Sequence, residues 1–149
     1  MIMLIFTRNF EELKRRVQEH VAEDRVIQGI YWNGYKGCFI GCLNHSDFGK
    51  LDLAEHRYGL PEELQRIAEF IFEGLPPDEA TAFFSALPTA VGCNGKCLNR
   101  VTRDVMSNHG WTHHHWDMDN EAREDYIRRG RDLFLKLVTE APVNPYFQD

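Results

Sequence analysis

No apolar run in this chain of 149 residues approaches the ~20 that a membrane-spanning helix requires. The stretch Met1-Ile2-Met3-Leu4-Ile5-Phe6 is too short for that role. It also lacks the basic region and the small-residue cleavage site of a secretory leader. A first strand or an apolar arm packed on the core is the expectation there. A cytoplasmic location follows, in which the four cysteines stay thiols or hold a metal. Phosphate-binding glycine loops, G-x-S-x-G, H-E-x-x-H and an EF-hand loop are all missing, so no named signature points to an enzyme. A basic stripe of the kind that meets nucleic acid is missing too. There is no internal repeat, no low-complexity tract and no linker rich in Gly, Ser or Pro. Residues 1–149 therefore read as a single globular domain.

What is present is enough to fold. The composition is 43% hydrophobic with 10 Phe, 5 Tyr and 3 Trp, too apolar and aromatic for a disordered chain. At this size roughly 70% of the unfolded surface can be buried, so no staple is required. Net charge is −6, and it is unevenly spread. Between residues 60 and 92 stand Glu62, Glu63, Glu69, Glu73, Asp78 and Glu79 against Arg66 alone, which gives that segment −5 and leaves the remainder nearly neutral. Such an acidic helical surface suits a basic protein partner, or else serves only as a solvated face.

Helical periodicity covers most of the length, and the expected fold is mainly α, a single-domain bundle of five to six helices. Phe10, Leu13, Val17 and Val21 share one face of a first helix that ends near Asp24. Leu64, Ile67, Ala68 and Ile71 mark a second, with Pro61 at its first position and Gly74 as its cap. Ala80, Phe83, Phe84 and Leu87 mark a third, opened by Pro77 and closed by Pro88. Leu98, Val101 and Val105 suggest a fourth that ends at Gly110. Ala122, Tyr126, Leu133, Phe134, Leu137 and Val138 define the last, capped by Asp119 or Asn120 and stopped by Pro142.

One segment resists this reading. Residues 26–40, with Asn33-Gly34 in the middle, fit a small β-hairpin with a type I′ turn. They fit equally a loop leading into a short helix that starts near Gly37. Gly37 and Gly41 would weaken a strand, which favours the helix. The choice matters for Cys38 and Cys42. One helical turn apart, their sulfurs can share a metal; on a strand, about 13 Å of rise separates them.

Cys93 and Cys97 repeat the C-x3-C spacing, and the four thiolates together would make a closed structural zinc site. Otherwise Cys38 and Cys42 are small core residues and Cys93 and Cys97 flank a turn. A third option is catalytic: Cys38 near a helix start as a thiolate nucleophile, with Cys42 beside it and His45, His56 or a histidine of the later cluster as base. Separately, His113, His115 and Asp117 would share one side of an extended segment and suit zinc, nickel or non-haem iron. They could equally belong to a surface loop between two helices.

In residues 37–42 (GCFIGC) and 71–76 (IFEGLP) the sequence resembles a family of small uncharacterised bacterial and phage proteins. These carry a GC-x-x-GC element, a Gly-Leu/Ile-Pro segment, IFEGLP and a short helix ending in Leu/Ile-Pro. The matching positions here include Gly59-Leu60-Pro61 and Leu87-Pro88, so the resemblance covers about the middle third of the chain. It transfers no catalytic residue. Its association with mobile elements implies a protein that acts on other proteins, and it draws attention to Cys38 and Cys42. The leading expectation is a non-enzymatic protein-binding module whose acidic helical surface meets a basic partner. The alternatives are a metal- or thiol-dependent enzyme centred on Cys38, Cys42 and His45 or on the histidine loop, and a structural zinc protein.

Overall fold

The apolar spacings build a mainly α-helical scaffold. The structure, a computed structural model, describes residues 4–46, 50–109 and 118–147. Among these are seven helices: α1 (Phe10–Ala22), α2 (Phe39–Asn44), α3 (Asp52–Tyr58), α4 (Glu62–Gly74), α5 (Pro77–Val91), α6 (Val101–His109) and α7 (Asn120–Glu140). The one with no counterpart in the sequence reading is α3, whose seven residues are too few to display a period. Asp119 caps α7, its carboxylate accepting from Ala122 N at 2.8 Å, as its residue type requires. Pro88 does not close α5. It stands inside the last turn, and the helix runs on to Val91 before Gly92 turns away at φ 78°. That turn is held by the bond from Gly92 N to Pro88 O (2.9 Å).

The core is one cluster to which every helix contributes. Phe39 of α2 is at its centre, fully buried, with ring centroids 6.3 Å from Phe72, 5.6 Å from Phe83 and 5.2 Å from Phe84. Phe83 reaches on to Phe134 of α7 at 5.5 Å. Two buried amides then cross-link the small helices. Asn44 Nδ2 donates to Ile40 O and to Gln65 Oε1, both at 3.0 Å, while its Oδ1 accepts from Ala54 N at 2.9 Å. Gln65 Nε2 donates to Leu51 O and Leu60 O. Fully satisfied, such a network fixes α2, α3 and α4 in a single arrangement.

The described part of the amino-terminal segment, residues 4–9, forms no regular strand and leaves Leu4 exposed. It bridges Phe6 to Cys97 in antiparallel sense, and Val143 bridges Lys96 from the other side. Between them Lys96 is buried, its Nζ donating to Ala90 O, Val138 O and Thr139 O at 2.9–3.1 Å. One ammonium thus serves the orphan carbonyls at the ends of both α5 and α7.

The ambiguous segment resolves as a loop followed by a short helix. Its tip is Gly34-Tyr35, closed by Asn33 N to Lys36 O at 3.0 Å, with Gly34 at φ 100°. Asn33 is absent from the positive-φ residues, so the turn is not type I′, and only isolated bridges (Val26 to Gly37, Trp32 to Gly37) form. The reason lies at Gly37 and Gly41. A Cβ on either would fall on the carbonyl of Tyr31, so the loop backbone packs directly on the first turn of α2. Gly41→Ala is expected to cost about 3 kcal/mol or more, as overpacking against rigid backbone does. Gly34→Ala, with open space around it but a left-handed φ, should cost about 1 kcal/mol. Urea denaturation of the two variants checks the order; equal losses would remove the close approach as the reason for Gly41.

Candidate functional site

The loop, α2 and α4 converge around two carboxylates. Cys38 is the N-cap of α2 and is fully buried. Glu69, on the facing side of α4, is nearly buried, and its Oε1 accepts from Ile40 N at 3.4 Å. It supplies the acceptor that Cys38, which makes no side-chain cap bond, does not. One turn further along α4, the exposed Glu73 accepts from Gly29 N with both oxygens, at 2.9 and 3.1 Å. Gln28 beside it donates to Phe72 O and Leu75 O, tying the loop to the end of α4. The Cys38 sulfur, one Glu69 oxygen and one Glu73 oxygen lie within 4.8 Å of one another. Among the described residues this is the one such grouping of Cys, His, Asp or Glu.

A groove of about 630 Å³ opens on the same carboxylates. Gly29, Ile30 and Tyr31 form one wall, Glu69, Phe70 and Glu73 another, and Ile127 of α7 the end. Ile30, Tyr31 and Phe70 remain 43%, 39% and 43% exposed. Arg66 and Arg123 line it as well.

The thiols are far from nucleophilic. Burial, and then the Glu69 charge, push the Cys38 thiol well above its ordinary range, and burial pushes Cys42 up to about 12. Glu69 is itself raised by burial. The amides of a six-residue helix do not outweigh these effects, so the environment holds Cys38 and Cys42 as protonated core thiols. His45 does not turn to either. It is the left-handed C-cap of α2 (φ 50°), its ring stacked on Trp32 at 4.1 Å and its Nε2 placed 2.8 Å from Nε2 of His20. His20 Nδ1 lies 2.7 Å from Arg16 O, which sets that nitrogen as the donor and leaves the proton between the rings to His45.

The four cysteines are not brought together. Cys93 and Cys97 sit on the segment between the two chain ends, where Cys93 O accepts from Thr7 Oγ1 and Cys97 N donates to Pro142 O. His113, His115 and Asp117 lie outside the described residues. The acidic set is divided. Glu63 and Asp78 are exposed and Glu62 is half-buried, whereas Glu69 and Glu73 hold α2 and the loop. Glu79 accepts from Arg128 at 2.9 and 2.7 Å and from Arg131 at 3.0 Å, and these bonds draw its carboxyl down to about 2. Sequence reasoning missed the groove and the partnership of Cys38 with Glu69 and Glu73. The available signal was the i, i+4 spacing of Glu69 and Glu73 on a helix whose other face is apolar. Comparison with models of protein families, with curated proteins and with solved structures finds no match.

Two outcomes follow from these environments. Burial first, then the charges of Arg16 and His20, lower His45 to about 4, and burial lowers His20, against an unfolded value near 6.5. The unfolded chain then binds more protons, so stability is complete above about pH 6.5 and is lost as pH falls toward 4. The urea midpoint should correspond to a loss on the order of 1–2 kcal/mol over that window, discounted for partial exposure. His45→Asn, which keeps a side chain tolerant of the left-handed conformation, should flatten the slope; equal slopes would refute the pair as its source. In alkylation at neutral pH, half-buried Cys93 and Cys97 should react before Cys38 and Cys42. Mass mapping showing Cys38 among the first to react would overturn the protonated-thiol assignment.

Proposed function

We propose that this chain is a non-enzymatic protein-binding module, and that the groove between the loop and α4 receives a segment of its partner. The observation that carries the reading is the exposure of Ile30, Tyr31 and Phe70 around one concave site. Large apolar side chains clustered at a groove, with a few converging polar groups, characterise binding sites rather than ordinary surface. The partner's chemistry follows from charge. Glu63, Arg66, Phe70 and Glu73 form the outward stripe of α4, and the surrounding segment carries the chain's acidic excess. A partner segment with apolar side chains beside Lys or Arg would bury the former against Tyr31 and Phe70 and present the latter to Glu73. No helix among the described residues is long and apolar enough to cross a membrane, which is consistent with a protein partner.

A random peptide display library selected against the immobilised full chain tests this. Enriched peptides should combine aromatic or aliphatic residues with an adjacent Lys or Arg. Phe70→Asp should weaken them by roughly 100-fold, as loss of an interface anchor does. Glu73→Gln, which keeps an acceptor for Gly29 N, should cost roughly tenfold. Peptides that bind Phe70→Asp as well as the parent, or no enrichment at all, would sink the proposal.

A further inference from the structure

We propose that Cys38, Glu69 and Glu73 form a binding site for one divalent transition-metal ion of the zinc class, facing the groove. This goes beyond the peptide reading and does not depend on it. The donor set is mixed, one sulfur and two carboxylates from two elements, with the ligand atoms already within 4.8 Å of one another. Sulfur excludes the hard cations, which take oxygen alone, and selects zinc or its spectroscopic substitute cobalt. Zinc bonds of about 2.0–2.3 Å place ligand atoms roughly 3.5 Å apart, and rotation about the side-chain bonds of exposed Glu73 closes the remaining distance.

A second observation points the same way. Cys38 is fully buried; its thiol is 3.9 Å from Tyr31 O, and its hydrogen-bond partner across the junction is the Glu69 carboxylate. The sulfur faces the carboxylates without a good acceptor of another kind. Each ligand is also held from outside the trio: Cys38 by the close packing of Gly37 and Gly41 on Tyr31, Glu69 by Ile40 N, and Glu73 by Gly29 N. Support of this sort orients ligands at metal sites. One Glu73 oxygen can stay on Gly29 while the other turns to the ion.

The exchange balances simply. The ion enters with its waters, the Cys38 S–H bond breaks and its proton leaves to solvent, and sulfur and two carboxylate oxygens replace all but the outermost water. That water occupies the position open to the groove. Three protein ligands, with Arg66 and Arg123 also lining the groove, make the site weaker than a closed four-cysteine centre.

The test titrates cobalt(II) alone into the full chain carrying Cys93→Ser and Cys97→Ser, so that Cys38 and Cys42 are the only thiols, and then displaces it with zinc. The expected result is a thiolate-to-cobalt charge-transfer band that saturates at one ion per chain. It should be abolished in Cys38→Ser and retained in Cys42→Ser. Glu73→Gln should weaken affinity by roughly 10- to 100-fold, with its circular dichroism and urea midpoint unchanged, so that folding loss in the cysteine variants cannot mislead. Absence of the band, its survival in Cys38→Ser, or an unchanged affinity in Glu73→Gln would each overturn the site. Peptide binding, which shares Glu73, is read separately and without metal, so failure of either proposal leaves the other to stand on its own readout.

Discussion

A carboxylate buried beside a helix start, held there by that helix's first amides and its cysteine cap, governs the arrangement of this molecule. Glu69 leaves water because α4 packs its apolar face on α2 and α5, and its compensation comes from the backbone of α2. That sets the first turn of α2 against α4, with Cys38 at the junction. The cost of an unpaired buried charge is large enough that α2, α4 and the loop cannot move independently. Glu73 and Gln28 extend the constraint by bonding the loop to the end of α4.

The glycines of GCFIGC then read as steric requirements, and both of its cysteines are buried against the same junction. Gly37 and Gly41 let the Tyr31 carbonyl rest on α2, and Phe39, between them, enters the aromatic core. The motif therefore joins the groove wall to the core. A ligand in the proposed groove would touch Tyr31, whose backbone packs on α2, and so would raise the stability of the domain.

At the opposite end, Lys96 does for two helices what Glu69 does for one. Its ammonium closes α5 and α7 together, while the backbone on either side of it pairs with the arm that begins the described chain and with the segment after α7. Both ends of the bundle thus rest on a single buried charge whose hydrogen bonds go to helix termini. The pattern explains why the segment around Cys93 and Cys97 is structural in its surroundings and remote from Cys38.

Helix content and most helix positions were legible in the sequence, because the apolar residues of α1, α4, α5 and α7 repeat at the helical period and their ends carry Pro, Gly or Asp. The short helices were less so: the seven residues of α3 show no period, and α2 was indicated only by the glycines of GCFIGC, which pack on the Tyr31 backbone. Residue type alone nominated Cys38, Glu69 and Glu73, but in separate roles. Only the tertiary structure decided that Glu69 is buried while Glu63 is exposed, that Glu79 is consumed by Arg128 and Arg131, and that His45 faces His20 rather than a thiol. Periodicity is a property of neighbours along the chain, whereas the cost of burying a charge is set by whatever donors distant segments happen to bring to it.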